Sequence, residues 1–373
     1  MKADKNKLKE LASLFLKLGS IAFGGPAAHI AMMQREVVVK KNWMSEQHFL
    51  DLIGATNLIP GPNSTEMAIH IGRERAGLKG LFVAGLCFII PAVVITSFFA
   101  WLYKHYGKLP EIQPFIYGIK PAIIAIIIGA VYPLAKKALK TFENWMIGFI
   151  SLALCFFGIN EIIIMFGAGF FALLLVTIRG NKSLNSFVPL TLMLGSSLAS
   201  VTNTKLFLTF LKMGSILYGS GYILFGILDS ELVSQGLLTR QQLIDAIAVG
   251  QFTPGPVFSS VTFIGYQING LSGALVSTIG IFLPSFLFVW LLNPIIPKLR
   301  KSKFFSSFLD AVNVASVAVI FFVCLQMGKE SIIDWRTIVI AATSISVTFG
   351  FKKVNSVFLV IGGSIAGYLL TLI

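Results

Sequence analysis

Glu66 and His70 stand four residues apart, so on a helix they share a face. A carboxyl and an imidazole in that relation can carry a proton, because burial raises a carboxyl pKa and histidine titrates near neutrality. The plainer reading is a satisfied polar pair, with Glu66 stabilising a helix N-terminus. Just upstream lies Pro60-Gly61-Pro62, followed by Asn63, Ser64 and Thr65, side chains suited to covering a new helix start. The triplet returns 194 residues later as Pro254-Gly255-Pro256, followed by Val257, Phe258, Ser259 and Ser260. Proline beside glycine ends one helix and suits the first position of the next. Each restarted helix has unbonded N–H groups and about half a positive charge at its start. Two such ends brought together make a site for a negative solute. The alternative is a pair of kinks in packed helices. Gly24-Gly25-Pro26, with His29 three residues on, supplies a third break, and Tyr-Gly-Ser-Gly at 218–221 is its weaker partner.

Three lysines fall within apolar stretches: Lys17, Lys120 and Lys212. A charge at the centre of a bilayer costs about 2.5–3.5 kcal/mol or more, so it faces a cavity or a partner, or snorkels to the surface. Lys120, followed by Pro121, matches Asn313 in the second half, and both side chains can donate to an oxyanion. Asp51 and Asp245 read as capping or pairing near helix starts, and Glu36 and Glu231 as sitting at segment ends. A membrane-embedded enzyme built on Glu66 and His70 is disfavoured. No further histidine or carboxylate lies at metal-ligand spacing, and His48 and His105 look loop-facing. No metal or cofactor is expected. The Gly-Asn-Lys-Ser stretch at 180–183 lacks the spacing of a phosphate loop, so the energy for any transport must come from gradients. A dianion moving outward gains roughly 2.3 kcal/mol per charge per 100 mV of inside-negative potential.

The elements that position these residues are membrane helices. The 373 residues are 55% hydrophobic and 12% charged, and mean hydropathy is +0.83. That charge fraction is about half the soluble norm. Continuous apolar runs at 80–103, 122–135 and 273–292 approach or reach the ~20 residues that span a bilayer. Their lack of alternation argues against a β-barrel. Cys87, Cys155 and Cys324 lie in apolar segments, against a disulfide framework or metal cluster. No cleavable signal peptide is apparent. The net charge of +14 reads as orienting lysines in loops rather than a nucleic-acid surface.

The chain repeats itself. FLKLGSIAFGG (15–25) returns as FLKMGSILYGS (210–220), an offset of 195 that also aligns Lys17 with Lys212 and Glu36 with Glu231. With single-residue gaps, Asp51 falls on Asp245, the two PGP triplets coincide, and Gly72, Gly77, Gly80 and Pro91 fall on Gly265, Gly270, Gly273 and Pro284. If 11–34 and 46–72 dip into the membrane and return, and 186–201 crosses once, 21 basic residues lie on one face and 6 on the other, with three inside apolar segments. Arg73, Arg75 and Lys79 have no charged counterpart in 265–273. One loop is thus basic in the first copy and neutral in the second, as expected of copies lying upside down to each other. The expected fold is all-α: a polytopic membrane protein of two inverted-topology repeats with broken or re-entrant helices. The expected division is 1–180, a linker with a connecting span at 181–204, and 205–373.

FGGPAAHIAMM, GATNLIPGPNSTEMAIHIG, AGLCFIIPA and, in the second copy, GQFTPGPVFSSVTFIGY resemble the chromate ion transporter family in its long, two-domain form. The resemblance covers both halves. It implies a cytoplasmic-membrane exporter of chromate, with halves of opposite orientation and chromate resistance as the cellular result. Carried over by motif, Gly24, Gly25, Pro26, His29, Asn57, Pro60, Gly61, Pro62, Asn63, Ser64, Thr65, Glu66, Gln251, Pro254, Gly255 and Pro256 belong to the family core. The candidate anion site is these residues (Thr65 and Glu66 aside) with Lys17, Lys120, Lys212, Ser259 and Asn313. Glu66 and His70 are the proton-coupling candidates. Residues alone specify an anion; the resemblance supplies chromate, and sulfate is the same tetrahedral dianion. The expected surroundings are the bilayer, with the N-terminus cytoplasmic, no nucleic acid, and a homodimer left open. A passive anion channel on the same scaffold is the rival expectation.

Overall fold

The computed structural model describes residues 2–23, 25–107, 109–180, 203–218, 223–292, 302–351 and 354–373. Gly24, residues 219–221, and the connecting span expected over 186–201 lie outside the described residues. The first copy runs α1 (Lys2–Ile21), α2 (Gly25–Gln34) continued by a π-turn (Arg35–Lys40), α3 (Glu46–Thr56), α4 (Asn63–Tyr106), α5 (Gln113–Ala138), α6 (Phe142–Phe156) and α7 (Glu161–Gly180). The second runs α8 (Asn203–Ile216), α9 (Ile223–Leu228) with its π-turn (Asp229–Val233), α10 (Arg240–Phe252), a 3₁₀ turn (Val257–Ser259), α11 (Ser260–Leu292), α12 (Lys303–Ser331), α13 (Trp335–Gly350) and α14 (Ser356–Thr371). Among the described residues there is no strand, and five helices are long and apolar enough to cross a membrane. The chain is an all-α polytopic membrane protein.

Local chemistry sets the helix starts. Ser45, Thr141, Thr239, Ser302, Asp334 and Asn355 each cap a helix with a side-chain oxygen, and Thr239 and Asp334 form reciprocal capping boxes. Both long helices that follow the PGP triplets are hairpins. Gly77 (φ +60°, ψ −148°) and Gly270 (φ +60°, ψ −150°) turn the backbone in the same way, each after a non-helical residue, Ala76 or Asn269. Only glycine adopts that geometry at low cost. The limbs then pack with almost no side chain between them. A Cβ on Gly72 would strike the Gly80 carbonyl, and one on Gly265 would strike the Gly273 carbonyl. The 11 residues of α3 rise about 16 Å, half the ~30 Å apolar thickness. The helix is too short by itself to span that thickness.

The two hairpins lie head to tail. Arg73, beside the first turn, donates to the carbonyls of Val289 (2.6 Å) and Trp290 (2.9 Å) near the far end of α11. Gln267, beside the second turn, donates to the Ala100 carbonyl (3.0 Å) near the far end of α4. Next to the Arg73 contacts, Phe82 stacks on Phe286. The copies are thus inverted with respect to each other. They are also crossed: α5 is clasped by α13 and α14 of the second copy, and α12 by α6 and α7 of the first. Gly118 on α5 sits directly against Gly363 and Gly367 of α14, and Phe115 stacks on Tyr368 at 4.7 Å. On the outside of α4, Phe82, Leu86, Ile90, Val94 and Phe98 form an exposed apolar stripe at four-residue spacing. A soluble monomer rarely carries such a patch, and lipid covers it here.

Candidate functional site

The two PGP triplets reach across the interface of the two copies through a crossed pair of hydrogen bonds. Gly61 N donates to Leu217 O at 2.7 Å, and Gly255 N donates to Ala22 O at 2.9 Å. Ala22 and Leu217 are repeat equivalents, as are Gly61 and Gly255. Each PGP glycine of one copy therefore bonds to the end of the first helix of the other copy. Both glycines hold positive φ, +139° and +89°. Flanking prolines have no N–H, so the glycine N–H is the one donor of each triplet. The sequence expectation left these donors open to a solute; the structure uses them to join the copies. The donors that remain belong to the restarted helices. Thr65 N and Glu66 N bond to Pro62 O, whereas the N–H groups of Asn63 and Ser64 have no acceptor among the described residues.

Around Gly61 the surroundings are polar and buried. Glu66 is 0% exposed, and its carboxylate has no partner among the described residues beyond the Ser285 hydroxyl of the second copy, which faces it. A Cβ on Gly61 would collide with Glu66 Oε1 and with the Oγ of Ser285. The Ser285 hydroxyl is likewise buried, with the Glu66 carboxylate as the group it faces. Tyr218, next to Leu217, lies within electrostatic reach of Glu66. His70 is buried one turn beyond Glu66, and both ring nitrogens lack partners. Glu66 and His70 share a buried face without a hydrogen bond between them. On the open side of the junction, Asn63 Nδ2 donates to Asn57 Oδ1 (2.9 Å), and Asn57 Nδ2 donates to Ile53 O (3.0 Å). Pro60, Pro62 and Ser64 are buried, while Asn57 is exposed.

The Gly255 junction has less polar contacts on its glycine, although the Ser260 hydroxyl beside it is also buried without a partner among the described residues. Its glycine packs against the Ala92 methyl and the Gly19 carbonyl. Ala92 is the repeat equivalent of Ser285, and Ser260 is that of Glu66. Gln251, Pro254, Pro256 and Ser259 are buried here, and Gln251 Nε2 has no partner. Ser259 Oγ accepts from Thr96 Oγ1 of the first copy (3.3 Å). His29 also reaches this junction. Its Nε2 lies 3.0 Å from Ala22 O and must carry the proton there, which leaves the buried Nδ1 as an unpartnered acceptor. Phe88 packs edge-on against the His29 ring, and Gly25 and Pro26 start the helix that carries it.

Two of the three lysines are held by carboxylates. Lys17 lies 3.5 Å from Glu36, and Lys212 lies 2.7 Å from Glu231, the same pairing in both copies. Each pair ties the first helix of a copy to the π-turn that follows its first break. Lys120 is half-buried and has no ion pair or hydrogen bond among the described residues. It faces Asp245 across the copy interface, whose carboxylate accepts from Tyr103 Oη (2.5 Å) and Gln241 Nε2 (3.2 Å). Asp245 lies in the middle of α10, so it joins the copies rather than capping a helix. Asn313 is half-buried on α12. Ser285, Tyr218 and Tyr103 were missed in sequence. Ser285 was findable, because it follows Pro284 at a point where the first copy has alanine.

A family model described as chromate transporter matches residues 9–173 and again residues 204–368. The chain is 30% identical over 371 residues to the chromate transport protein of Cupriavidus metallidurans, which covers 96% of this chain and 92% of that protein. It is 31% identical over 373 residues to the probable chromate transport protein of Synechococcus elongatus, covering 96% and 95%. An uncharacterized transporter of Methanocaldococcus jannaschii is 28% identical over 375 residues, covering 95% and 92%. No solved structure matches the chain.

Proposed function

The chain belongs to the chromate transporter family, and from that premise we propose that it is a secondary transporter exporting chromate, or a related tetrahedral oxyanion such as sulfate, across the cell membrane. The N-terminus is cytoplasmic in this reading, because the face carrying 21 of the basic residues then lies inside. The anion binds near the midplane, where the break of each copy bonds to the other copy. The crossed Gly61–Leu217 and Gly255–Ala22 hydrogen bonds are the observation that carries the proposal. Each ties an interrupted helix of one copy to the first helix of the other, and such breaks are tolerated in a bilayer only where protein buries them or they line a cavity.

In this mechanism the first N–H groups of the restarted helices supply fixed donors to the anion. His29, Asn57, Asn63, Ser64, Gln251 and Ser259 offer polar atoms around them. Lys120 is the cation within a spanning helix that draws a dianion inward. Asn313 is its uncharged counterpart. Lys17 and Lys212, held by their glutamates, sit on the approaches and guide the solute by exchanging partners. Glu66 and His70 carry the coupling proton. The test is radiolabelled chromate uptake into inside-out vesicles, with sulfate, molybdate and phosphate competing under imposed pH and voltage gradients. Saturable uptake that follows the pH gradient is expected. Flux that follows voltage alone without saturation makes the protein a channel, and no flux at all overturns the proposal.

A further inference from the structure

The two PGP junctions have equivalent backbones but different linings, which makes each an internal control for the other. At Gly61 the neighbouring side chains are Glu66 and Ser285; at the equivalent places around Gly255 stand Ser260 and Ala92. The restarted helix opens with Asn63 and Ser64 at one junction and with Val257 and Phe258 at the other. Only the first junction combines a helix N-terminus with a buried carboxylate and a buried hydroxyl that face each other over the same glycine and have no further partner among the described residues. A buried polar atom left unpaired costs about 1–3 kcal/mol, and a charged one more. A protein keeps such groups where something else completes them.

Resting on the transport reading above but narrowing its site from both junctions to one, we infer that the anion is held at the Gly61 junction, with the Ser285 hydroxyl as its donor from the second copy and the Glu66 carboxylate occupying its place in the empty protein. Glu66 is the fourth residue of its helix, within the first turn, where the helix field favours negative charge. A carboxylate oxygen and an oxyanion oxygen make the same demands: hydrogen-bond donors, and a backbone without a Cβ in the way. Gly61 supplies the missing Cβ, Ser285 a hydroxyl, and Asn63 and Ser64 the open N–H groups. Side chain and solute therefore compete for one set of donors. The second copy contributes the binding hydroxyl, and the first contributes the internal competitor.

The test is equilibrium binding of chromate to the purified full-length protein in detergent, followed from about pH 7 to about pH 10 because burial disfavours the ionised form of a carboxyl, with the variants compared at the alkaline end. Ser285→Ala is expected to weaken binding roughly tenfold or more, as loss of a charge-assisted hydrogen bond does. Glu66→Gln is expected to tighten it by a similar factor, because the charged competitor is gone. Ser260→Ala, at the equivalent place in the other junction, is expected to leave affinity within about twofold of wild type. Equal losses from Ser285→Ala and Ser260→Ala, or weaker binding in Glu66→Gln, overturn the inference. If Ser285→Ala fails to fold by size exclusion, the direction of the Glu66→Gln change decides alone. Wild-type protein that neither binds nor carries chromate overturns the transport reading instead, so the two failures are distinguishable.

Discussion

Lys17 and Lys212 show how a residue's meaning changes once its partner is known. In sequence both are cations within apolar stretches; in the structure each meets the glutamate 19 residues on. The two pairs differ in burial: the Lys17 side chain is 55% exposed and that of Lys212 is 36% exposed. Exposed pairs contribute about 0–1 kcal/mol, so Lys212→Ala is expected to lower the unfolding temperature in detergent more than Lys17→Ala. Glu36 adds a pH signature. The Lys40 hydrogen bond, and then the Lys17 charge, hold its carboxyl below the ordinary 4.5. A carboxyl depressed in the folded state contributes stability that is present above its unfolded pKa and is lost as pH falls through the folded value. Wild type should therefore lose a component of stability as pH falls below the ordinary carboxylate range, and Glu36→Gln should lack that component. Matching acid profiles for the two proteins would remove the pair from the stability of this face.

Glycine placement decides how closely the elements approach, and adjacent glycines on one helix separate packing from propensity. On α14, nothing lies within 4 Å of a Cβ built on Gly362, whereas one on Gly363 meets the Ala122 Cβ at 2.7 Å and the Gly118 carbonyl at 2.8 Å. Gly362→Ala should be neutral or stabilising by up to about 1 kcal/mol, since alanine favours the helix. Gly363→Ala should destabilise by about 1–3 kcal/mol, because α5 must retreat from a backbone contact. Thermal unfolding of the two variants, side by side, checks the order. Much at this scale was legible beforehand. The repeated triplets marked the helix breaks, and the alignment of Gly72, Gly77 and Gly80 with Gly265, Gly270 and Gly273 marked two equal structures. That these glycines build tight hairpins was not legible, because a helical glycine and a turn glycine look alike until the partner limb is known. The fate of the Gly61 and Gly255 N–H groups was hidden for the same reason: their acceptors lie about 160 and 230 residues away in the chain.

At the scale of the whole molecule, inversion was readable from charge, but crossing was not. The contrast between 72–80 and 265–273 encodes orientation relative to a membrane; nothing local encodes which copy covers α5. The answer lies in complementary surfaces, such as Gly118 against Gly363 and Gly367, and the hydroxyl of Tyr117 bonded to Asp334. Across the same interface Tyr103 bonds to Asp245, and Arg73 to the end of α11. The buried isoleucines of α5, among them Ile123, Ile124, Ile126 and Ile127, have their packing partners largely in the second copy. A copy expressed by itself would leave the inner face of its long helix and both glycine junctions uncovered, with the N–H of its PGP glycine unbonded inside the bilayer. Such a group costs several kcal/mol, a large share of a typical folding free energy. Residues 1–180 and 203–373 produced separately should therefore fail to accumulate as folded monomers. Produced together, they should copurify and recover chromate flux, since the crossed contacts do not require the intervening segment to be continuous. A single half that is monomeric, stable and protease-resistant alone would mean that the copies fold as independent units, and the crossed arrangement would have to be abandoned.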